Sequence, residues 1–422
     1  MRVLTPPSPW ATALRAVSVA LAVLAVIGIV ALRPTGGRRP PVPGLSSFEG
    51  TYAARVEGLS EGACRGGDAS TRCLTARFRL LEGPDGGHVT TVELPASGRA
   101  ASLGVGSTVV LGHQPDVPGF EYVFLDADRR TPLVWLTVVF VAAVILLGRW
   151  RGLSALVGLA ATLLVLFLFV VPAILDGRDP LTVSLVGSVV IAFAALYLSH
   201  GVGLQTTVAL LGTVGGLVCT AILASVFMGL AHITGLASEE ALFLTALGTN
   251  IDLRGLILGG MMIGALGAID DMTVTQAAAV WELRAADPSM TPRKLHRAGM
   301  RIGRDHVAST VNTLVLAYAG ASMPVLILFV LSGQPIWTVA SGEIVATEIV
   351  RTLVGSVGLV ASVPITTWLA ARTVAVEAGR HARVEPPSSP EPAIGAPEEH
   401  PIPERRRDVW GRWLRERRST ST

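Results

Sequence analysis

The sequence predicts a mainly α, polytopic helical membrane bundle of about eight spans, with a small extracytoplasmic antiparallel β domain between spans one and two. Two observations predict the bundle. Half of the 422 residues are hydrophobic, with a mean hydropathy of +0.56. Several uncharged runs also approach ~20 residues, the length that crosses the hydrocarbon of a bilayer. The β domain is predicted by short alternating segments between the first two apolar runs.

The first apolar run covers Val17 to Leu32 and follows a polar start that carries Arg2 and Arg15. A cleaved signal peptide shares these features. The run is long for a signal core, and the Pro/Gly/Arg segment after it lacks a clear small-x-small cleavage site. We therefore expect an uncleaved signal anchor over residues 1–32, with the N-terminus in the cytoplasm.

Residues 33–130 are expected to form the extracytoplasmic domain. Between Thr51 and Asp128, short alternating runs are separated by turn material such as the Gly/Pro segment at 83–87. This pattern predicts a five- or six-stranded antiparallel sheet or barrel. Cys64 and Cys73 both lie here, and in an oxidising compartment a disulfide between them would close a short loop.

Residues 131–372 are expected to form a membrane core of seven spans. The spans lie at about 133–148, 152–175, 181–200, 204–231, 253–270, 306–332 and 344–370. The positive-inside rule places the basic segment from Arg284 to Arg304 in the cytoplasm, together with Arg149 and Arg151. Residues 237–252 hold too short an apolar run to span, and they predict an interfacial or re-entrant helix that begins at Ser238.

Residues 373–422 are expected to form a cytoplasmic tail, so that both termini are cytoplasmic. Pro, Glu and Ser are frequent over 384–404, which predicts disorder. The segment from Arg405 to Arg418 combines tryptophans with many arginines. It is either a helix that lies on an anionic membrane surface or a disordered basic tail.

Asp270 and Asp271 are the main candidate functional residues. They follow a glycine-rich apolar run, and ionisable groups beside a membrane segment are costly and are functional candidates by default. Two adjacent carboxylates resist ionising together, which suits the pair to carrying a proton or to holding a hard cation. The side-chain oxygens of Thr273, Thr275 and Gln276 are the predicted additional ligands.

The length of this segment predicts a break at the acidic pair. A helix that begins at Leu253 reaches Asp270 after about 25 Å, at the cytoplasmic side of the bilayer. A helix that continued to Leu283 would be too long for the hydrocarbon without strong tilt. We therefore expect Asp271 to cap a second helix over 272–286.

A second polar face is predicted on the span at 306–332. Asp305, Ser309 and Asn312 recur at i, i+4 and i+7, so they share one face of a helix. Asn312 lies deep enough to need a hydrogen-bond partner. Ser309 and Asn312 therefore join the predicted ion- or substrate-binding set. The sequence predicts no catalytic residues, no metal-ligand cluster and no cofactor.

Glycines spaced four residues apart predict close helix packing. Gly255 and Gly259 have this spacing in the span that leads to Asp270, and Gly212 and Gly216 repeat it in the span at 204–231.

The core resembles the YibE/F-like family of bacterial multi-pass membrane proteins. Two segments carry the resemblance, IDLRGLILGGMMIGALGAIDDMTVTQAAAVWEL (251–283) and GRDHVASTVNTLVLAYAGASMP (303–324), and it extends across roughly 130–372. The resemblance implies a protein of the bacterial cell membrane. It implies little about mechanism, because transport is only the usual provisional assignment of the family.

The leading functional hypothesis is a transporter or permease, coupled to a proton or a cation through the acidic pair. Its expected partners are the lipid bilayer and a small solute or ion that the sequence does not identify. The alternatives are a scaffold or sensor with an extracytoplasmic binding domain and, with less support, an intramembrane enzyme. No nucleic-acid partner is expected, since the arginines lie at segment ends and in the tail, and the sequence leaves a homo-oligomer open.

Overall fold

The computed structural model describes residues 9–36, 48–64, 72–96, 103–115, 121–247 and 251–384, with side chains to residue 374. The predicted basic segment at 405–418 lies outside these residues. The chain divides into two units, Met1–Val376, which holds the sheet and the helical bundle, and Glu377–Thr422.

Eleven helices and five strands form the described part of the chain. The helices are α1 (Pro9–Leu32), α2 (Arg130–Val165), α3 (Val171–Leu175), α4 (Pro180–His200), α5 (Leu204–Leu230), α6 (Glu239–Ala246), α7 (Leu253–Ala286), α8 (Pro292–Ala321), α9 (Met323–Leu331), α10 (Ile336–Ser341) and α11 (Glu343–Val384). A π-helical turn, Leu166–Val170, joins α2 to α3. The strands are β1 (Gly50–Ala63), β2 (Arg72–Leu80), β3 (Val89–Pro95), β4 (Thr108–His113) and β5 (Tyr122–Ala127).

The β domain is a five-stranded antiparallel sheet in the order β3-β2-β1-β4-β5. The alternation in the sequence is matched by alternating burial along β2, where Leu74, Ala76, Phe78 and Leu80 face the domain core. A disulfide joins Cys64, which follows β1, to Cys73 in β2. The edge strands β3 and β5 also contact each other, so the sheet curls towards a barrel.

Tyr122 fixes the turn after β2 to the start of β5. Its hydroxyl donates a hydrogen bond to Asp85 Oδ2 at 2.6 Å. Burial of the hydroxyl, together with the neighbouring Asp85 carboxylate, raises the pKa of Tyr122 above its usual range, so the hydroxyl keeps the proton that it donates.

Among the described residues, six helical segments are long and apolar enough to cross a membrane, or seven if the bent pair of α8 and α9 forms one span. The predicted span at 306–332 is bent, because α8 and α9 meet at 64°. Pro324 lies in the first turn of α9, where a proline ring cannot continue the preceding helix. The predicted loop from Arg284 to Arg304 is also mostly helical, since α8 already begins at Pro292.

The 46-residue helical stretch Arg130–Leu175 turns back on itself at Arg149. Arg149 has a φ of 51° and a ψ of −127°, outside the helical region. A β-carbon on Gly152 would collide with the carbonyl oxygen of Val144, whereas residues eight apart in a straight helix are about 12 Å apart. The two arms of this stretch correspond to the predicted segments at 133–148 and 152–175.

Carboxylates hold the loops together at one end of the bundle. The Asp176 carboxylate, after α3, accepts hydrogen bonds from the backbone of Thr35 and Gly36, after α1. The Glu343 carboxylate, at the start of α11, accepts them from the backbone of Thr234 and Gly235, after α5. These contacts place the ends of α1, α3 and α5 and the start of α11 at the same end.

Aromatic and basic side chains join the helices at the other end. Trp10 Nε1 in α1 donates a hydrogen bond to Thr373 Oγ1 in α11 at 3.1 Å. The Arg372 guanidinium lies 4.5 Å from the centre of the Trp368 ring, a distance at which cation–π attraction is effective. Ser154, just after the turn at Arg149, approaches the Ser199 carbonyl oxygen near the end of α4.

The innermost contact joins α5, α7 and α11. A β-carbon on Gly216 would lie 2.9 Å from Cβ of Ser362 and 3.0 Å from Cγ2 of Ile269. One turn earlier, Gly212 contacts the Thr366 side chain. The predicted close packing at Gly212 and Gly216 is therefore confirmed. Gly259 of α7 similarly contacts Ser184 of α4.

The predicted break at Asp270 and Asp271 is wrong, because α7 continues from Leu253 to Ala286. The helix has no boundary there because its second half is packed inside the bundle, where Gln276, Ala277 and Val280 are buried. The apolar side chains of this half are buried by neighbouring helices, so the helix has no reason to end where it would leave the bilayer. The residue that caps α7 is Asp252, whose side chain accepts from the Arg254 amide.

Two Gly→Ala substitutions in the bundle should differ in their effect on the free energy of unfolding. Gly216→Ala places a methyl group against α7 and α11 and should lower the free energy of unfolding by about 1–3 kcal/mol. A β-carbon added at Gly260 would have no heavy atom within 4 Å. Gly260→Ala should therefore leave the free energy of unfolding unchanged or raise it by up to about 1 kcal/mol through helix propensity. Unfolding by SDS in mixed micelles measures both. Equal effects at the two positions would contradict the close contact at Gly216.

Candidate functional site around Asp270

Asp270 lies in the interior of the bundle, on the side of α7 that approaches α5. The Thr213 hydroxyl of α5 is within hydrogen-bonding reach of its carboxyl group. The Oδ1 atom of Asp270 is inaccessible and has no hydrogen-bond partner among the residues that the structure describes. An acidic oxygen without a donor is an unusual and costly feature in a protein interior.

Two threonine hydroxyls next to Asp270 are already engaged. Thr213 Oγ1 donates to the Ala209 carbonyl oxygen at 3.1 Å, and Thr273 Oγ1 donates to the Asp270 carbonyl oxygen at 3.0 Å. The two hydroxyl oxygens are also 2.7 Å apart. Because each hydroxyl has a single hydrogen, the two hydroxyls cannot donate to the Asp270 carboxylate and to the two backbone carbonyl oxygens at the same time. The cluster has more acceptors than donors.

The cluster lies well inside the bundle. Thr213 follows the start of α5 by nine residues, or about 14 Å along the helix axis. Gly212, beside it, contacts Thr366 of α11. Asp270 therefore lies level with the interior of three packed helices.

Asp271 and Thr275, two other predicted site residues, do not join the cluster. Both are exposed on the opposite side of α7. The Thr275 hydroxyl donates to the Asp271 carbonyl oxygen at 2.8 Å, within the same helix. The two neighbouring aspartates thus lie in different environments, and Asp271 does not cap a helix.

Gln276 has a bridging position between three helices. Its Nε2 donates to the Gly299 carbonyl oxygen of α8 at 2.9 Å and to Thr367 Oγ1 of α11 at 2.7 Å. The side chain is buried, and these two bonds use both hydrogens of its amide. Gln276 therefore links α7 to α8 and α11 and offers no free donor to a ligand.

Ser309 and Asn312 are separated from Asp270. Both lie on the exposed face of α8, on which Asp305 is also exposed. Apolar residues of α8 pack against α7 and α11, among them Met300, Val307, Val311 and Leu314. The three polar residues do share one helical face, but the face is directed away from the bundle.

A cavity that the sequence did not predict lies between α8, α9 and α11. Its volume is about 380 Å³ and its lining is mainly apolar, within the range of small-molecule sites. The polar side chains that line it are Tyr318, Ser322, Glu348 and Thr352. Glu348 forms an ion pair with Arg351 at 2.9 Å. The two residues of this pair are three positions apart on α11, whereas the cavity depends on the bend between α8 and α9.

One group of metal-ligating side chains in the described residues is close enough to hold an ion: Cys64, Cys73 and Glu93 in the β domain. The two cysteines are joined in a disulfide. They therefore offer no thiolate, the form in which cysteine binds metals.

Removal of the Gln276 amide should destabilise the bundle. Gln276→Leu leaves the Gly299 carbonyl oxygen and the Thr367 hydroxyl without this donor and should lower the free energy of unfolding by about 1–3 kcal/mol. Thr275→Val, the exposed neighbour, is the matched control and should change it little. SDS-induced unfolding measures both variants, and a Gln276→Leu protein as stable as the control would contradict the bridging role.

Comparison with known proteins concerns the helical core. The family model described as YibE/F-like protein matches residues 136–376, more than half of the chain. The match covers α4, α5, α7 and α8, and the part of α11 that contacts them. No curated protein and no solved structure matches the chain. Together with the apolar helices, the match shows that this chain belongs to the YibE/F-like family and indicates a membrane protein.

Proposed function

We propose that the protein is a membrane transporter in which Asp270 binds and releases a proton or a hard cation. The observation that carries the proposal is the inaccessible Oδ1 atom of Asp270, which has no donor within the described residues. A structural aspartate would be expected to have its hydrogen bonds completed by neighbouring groups. A carboxylate that binds and releases a positive charge lacks a hydrogen-bond donor whenever no proton or cation is bound.

The neighbouring hydroxyls support this chemistry. Thr213 and Thr273 each have one hydroxyl hydrogen and two lone pairs, and backbone carbonyl oxygens are within reach of both hydrogens, so their oxygens can face a positive charge. A proton on Asp270 would supply the donor that the cluster lacks. A cation would instead be held by the carboxylate and hydroxyl oxygens, the ligand type that hard cations prefer.

The cavity between α8, α9 and α11 supports a solute site in the same protein. Its apolar lining with a few convergent polar groups is typical of small-molecule sites. The cavity also lies near the buried cluster, since Tyr318 of its lining reaches Gly264 of α7, less than two turns before Asp270. We propose that an apolar solute with a polar group occupies this cavity during transport.

We also propose an eight-span topology in a bacterial cell membrane, with both termini in the cytoplasm. The support is the reversal at Arg149, which divides one helical stretch into two arms. Counting both arms, and the bent pair of α8 and α9 as one span, gives eight. Arg149 and Arg372 lie at the end of the bundle where α4 ends, and basic residues favour the cytoplasmic side. The β domain, which follows α1 and contains the disulfide, is then outside.

The topology can be tested by cysteine labelling of intact cells in a Cys219→Ala background. Trp150→Cys should be protected from a membrane-impermeant maleimide, and Asp176→Cys should react, because the arm between them crosses the membrane. Permeabilised cells provide the control for reactivity at position 150. Labelling of both positions from the same side would contradict the eight-span arrangement.

The coupling role can be tested with the two neighbouring aspartates. Asp270→Asn and Asp271→Asn remove the same charge, one inside the cluster and one on the exposed side of α7. Purified protein in lipid nanodiscs would be heated at a series of pH values and with Li⁺, Na⁺, K⁺, Mg²⁺ or Ca²⁺ added. We expect the melting temperature of the wild type and of Asp271→Asn to respond to pH or to one cation, and that of Asp270→Asn to lose this response.

The response of the melting temperature also distinguishes a bound proton from a bound metal cation. A dependence on pH alone indicates a proton, and a dependence on one added cation at constant pH indicates that cation. Thr213→Val should weaken a cation response because it removes an oxygen ligand, whereas Thr275→Val should leave the response unchanged. If Asp270→Asn keeps the full response of the wild type, Asp270 is not the binding group.

A further inference from the structure

The outer wall of the bundle is not uniform in polarity. The exposed side chains of the first arm of α2 are mostly apolar, and Leu146 and Leu147 are 82% and 92% exposed. This is the surface that lipid chains favour. The exposed face of α8 instead combines apolar side chains such as Leu316 with the polar side chains of Arg301, Asp305, Ser309 and Asn312.

The depth of this polar face follows from its contacts with α7. The Tyr318 hydroxyl lies 3.0 Å from where a β-carbon of Gly264 would stand, and the Gly299 carbonyl oxygen accepts from Gln276. The two helices are therefore antiparallel, and Asn312 lies at the level between these two contacts, beside Asp270. At this depth the exposed amide and hydroxyl would face hydrocarbon, where polar groups require protein partners.

The face is self-complementary. The Asn312 amide and the Ser309 hydroxyl are each both donor and acceptor, so each can bind its own copy. Arg301 and Asp305 have opposite charges one helical turn apart, and neither forms an ion pair within the described residues. Two parallel copies of α8 can therefore pair Arg301 of one subunit with Asp305 of the partner subunit. Polar groups at such interfaces bind helices together in membranes.

We propose that the exposed face of α8 (Arg301, Asp305, Ser309 and Asn312) is the contact surface of a homodimer, with a twofold axis along the membrane normal. A twofold axis brings the same patch of both subunits together. Asn312 then contacts Asn312 of the partner subunit near the axis, as a buried asparagine does in a coiled-coil dimer. The dimer is independent of the ion at Asp270, which lies on the other side of the α7–α8 contact.

Disulfide crosslinking in native membranes tests the contact directly. Asn312→Cys in a Cys219→Ala background should form a covalent dimer on mild oxidation, visible on a non-reducing gel. Leu147→Cys, which is also exposed but lies on the apolar wall of α2, is the control and should remain monomeric. Absence of a dimer at Asn312→Cys, or equal dimer at both positions, would overturn the proposal.

Charge exchange provides a second test that does not depend on cysteine reactivity. Mass photometry of the wild type in nanodiscs should show dimers. Arg301→Glu and Asp305→Arg each place like charges across the axis and should shift the population to monomers. The double variant Arg301→Glu/Asp305→Arg should restore the dimer. A monomeric wild type, a complex with a different protein in place of a dimer, or failure of the double variant to restore the dimer would overturn the proposal.

Discussion

The close contact of α5, α7 and α11 is the constraint on which the rest of the bundle depends. Gly216 allows α5 to approach Ile269 of α7 and Ser362 of α11, and Gly212 does the same for Thr366. Without glycine at these positions the helices would separate by the width of a side chain. The short distance brings Thr213 to Asp270 and leaves the Oδ1 atom of its carboxylate inaccessible. The same packing explains why α7 continues beyond Asp270, since one face of its second half is buried against protein.

Much of the fold could be predicted from the sequence because the dominant signals are local. The apolar runs predict the helices, and the alternation between Thr51 and Asp128 predicts the antiparallel sheet. The ends of α7 and the bend at Ser322 could not be predicted in the same way. A length rule assumes that a helix ends where the bilayer ends, whereas the second half of α7 is stabilised by Gln276 and by its apolar contacts with α8 and α11.

The candidate site could be predicted only in part, for a geometric reason. Adjacent residues of a helix differ by about 100° in direction, so a sequence indicates an acidic pair without showing which member faces the interior. The structure assigns Asp270 to the interior and Asp271 to the exposed side. The shared face of Ser309 and Asn312 was also predicted, but its direction was not. That direction depends on which side of α8 the neighbouring helices cover, and an apolar residue count does not contain this information.

The central claim is that Asp270 is the group that gains and loses a positive charge inside the bundle. Infrared difference spectroscopy of the carboxyl region measures this most directly, with protein in lipid exposed to alternating pH and to the cation that stabilises it. We expect a carboxyl difference band in the wild type and in Asp271→Asn that is absent in Asp270→Asn. A band that persists in Asp270→Asn, or that disappears in Asp271→Asn alone, would contradict the account.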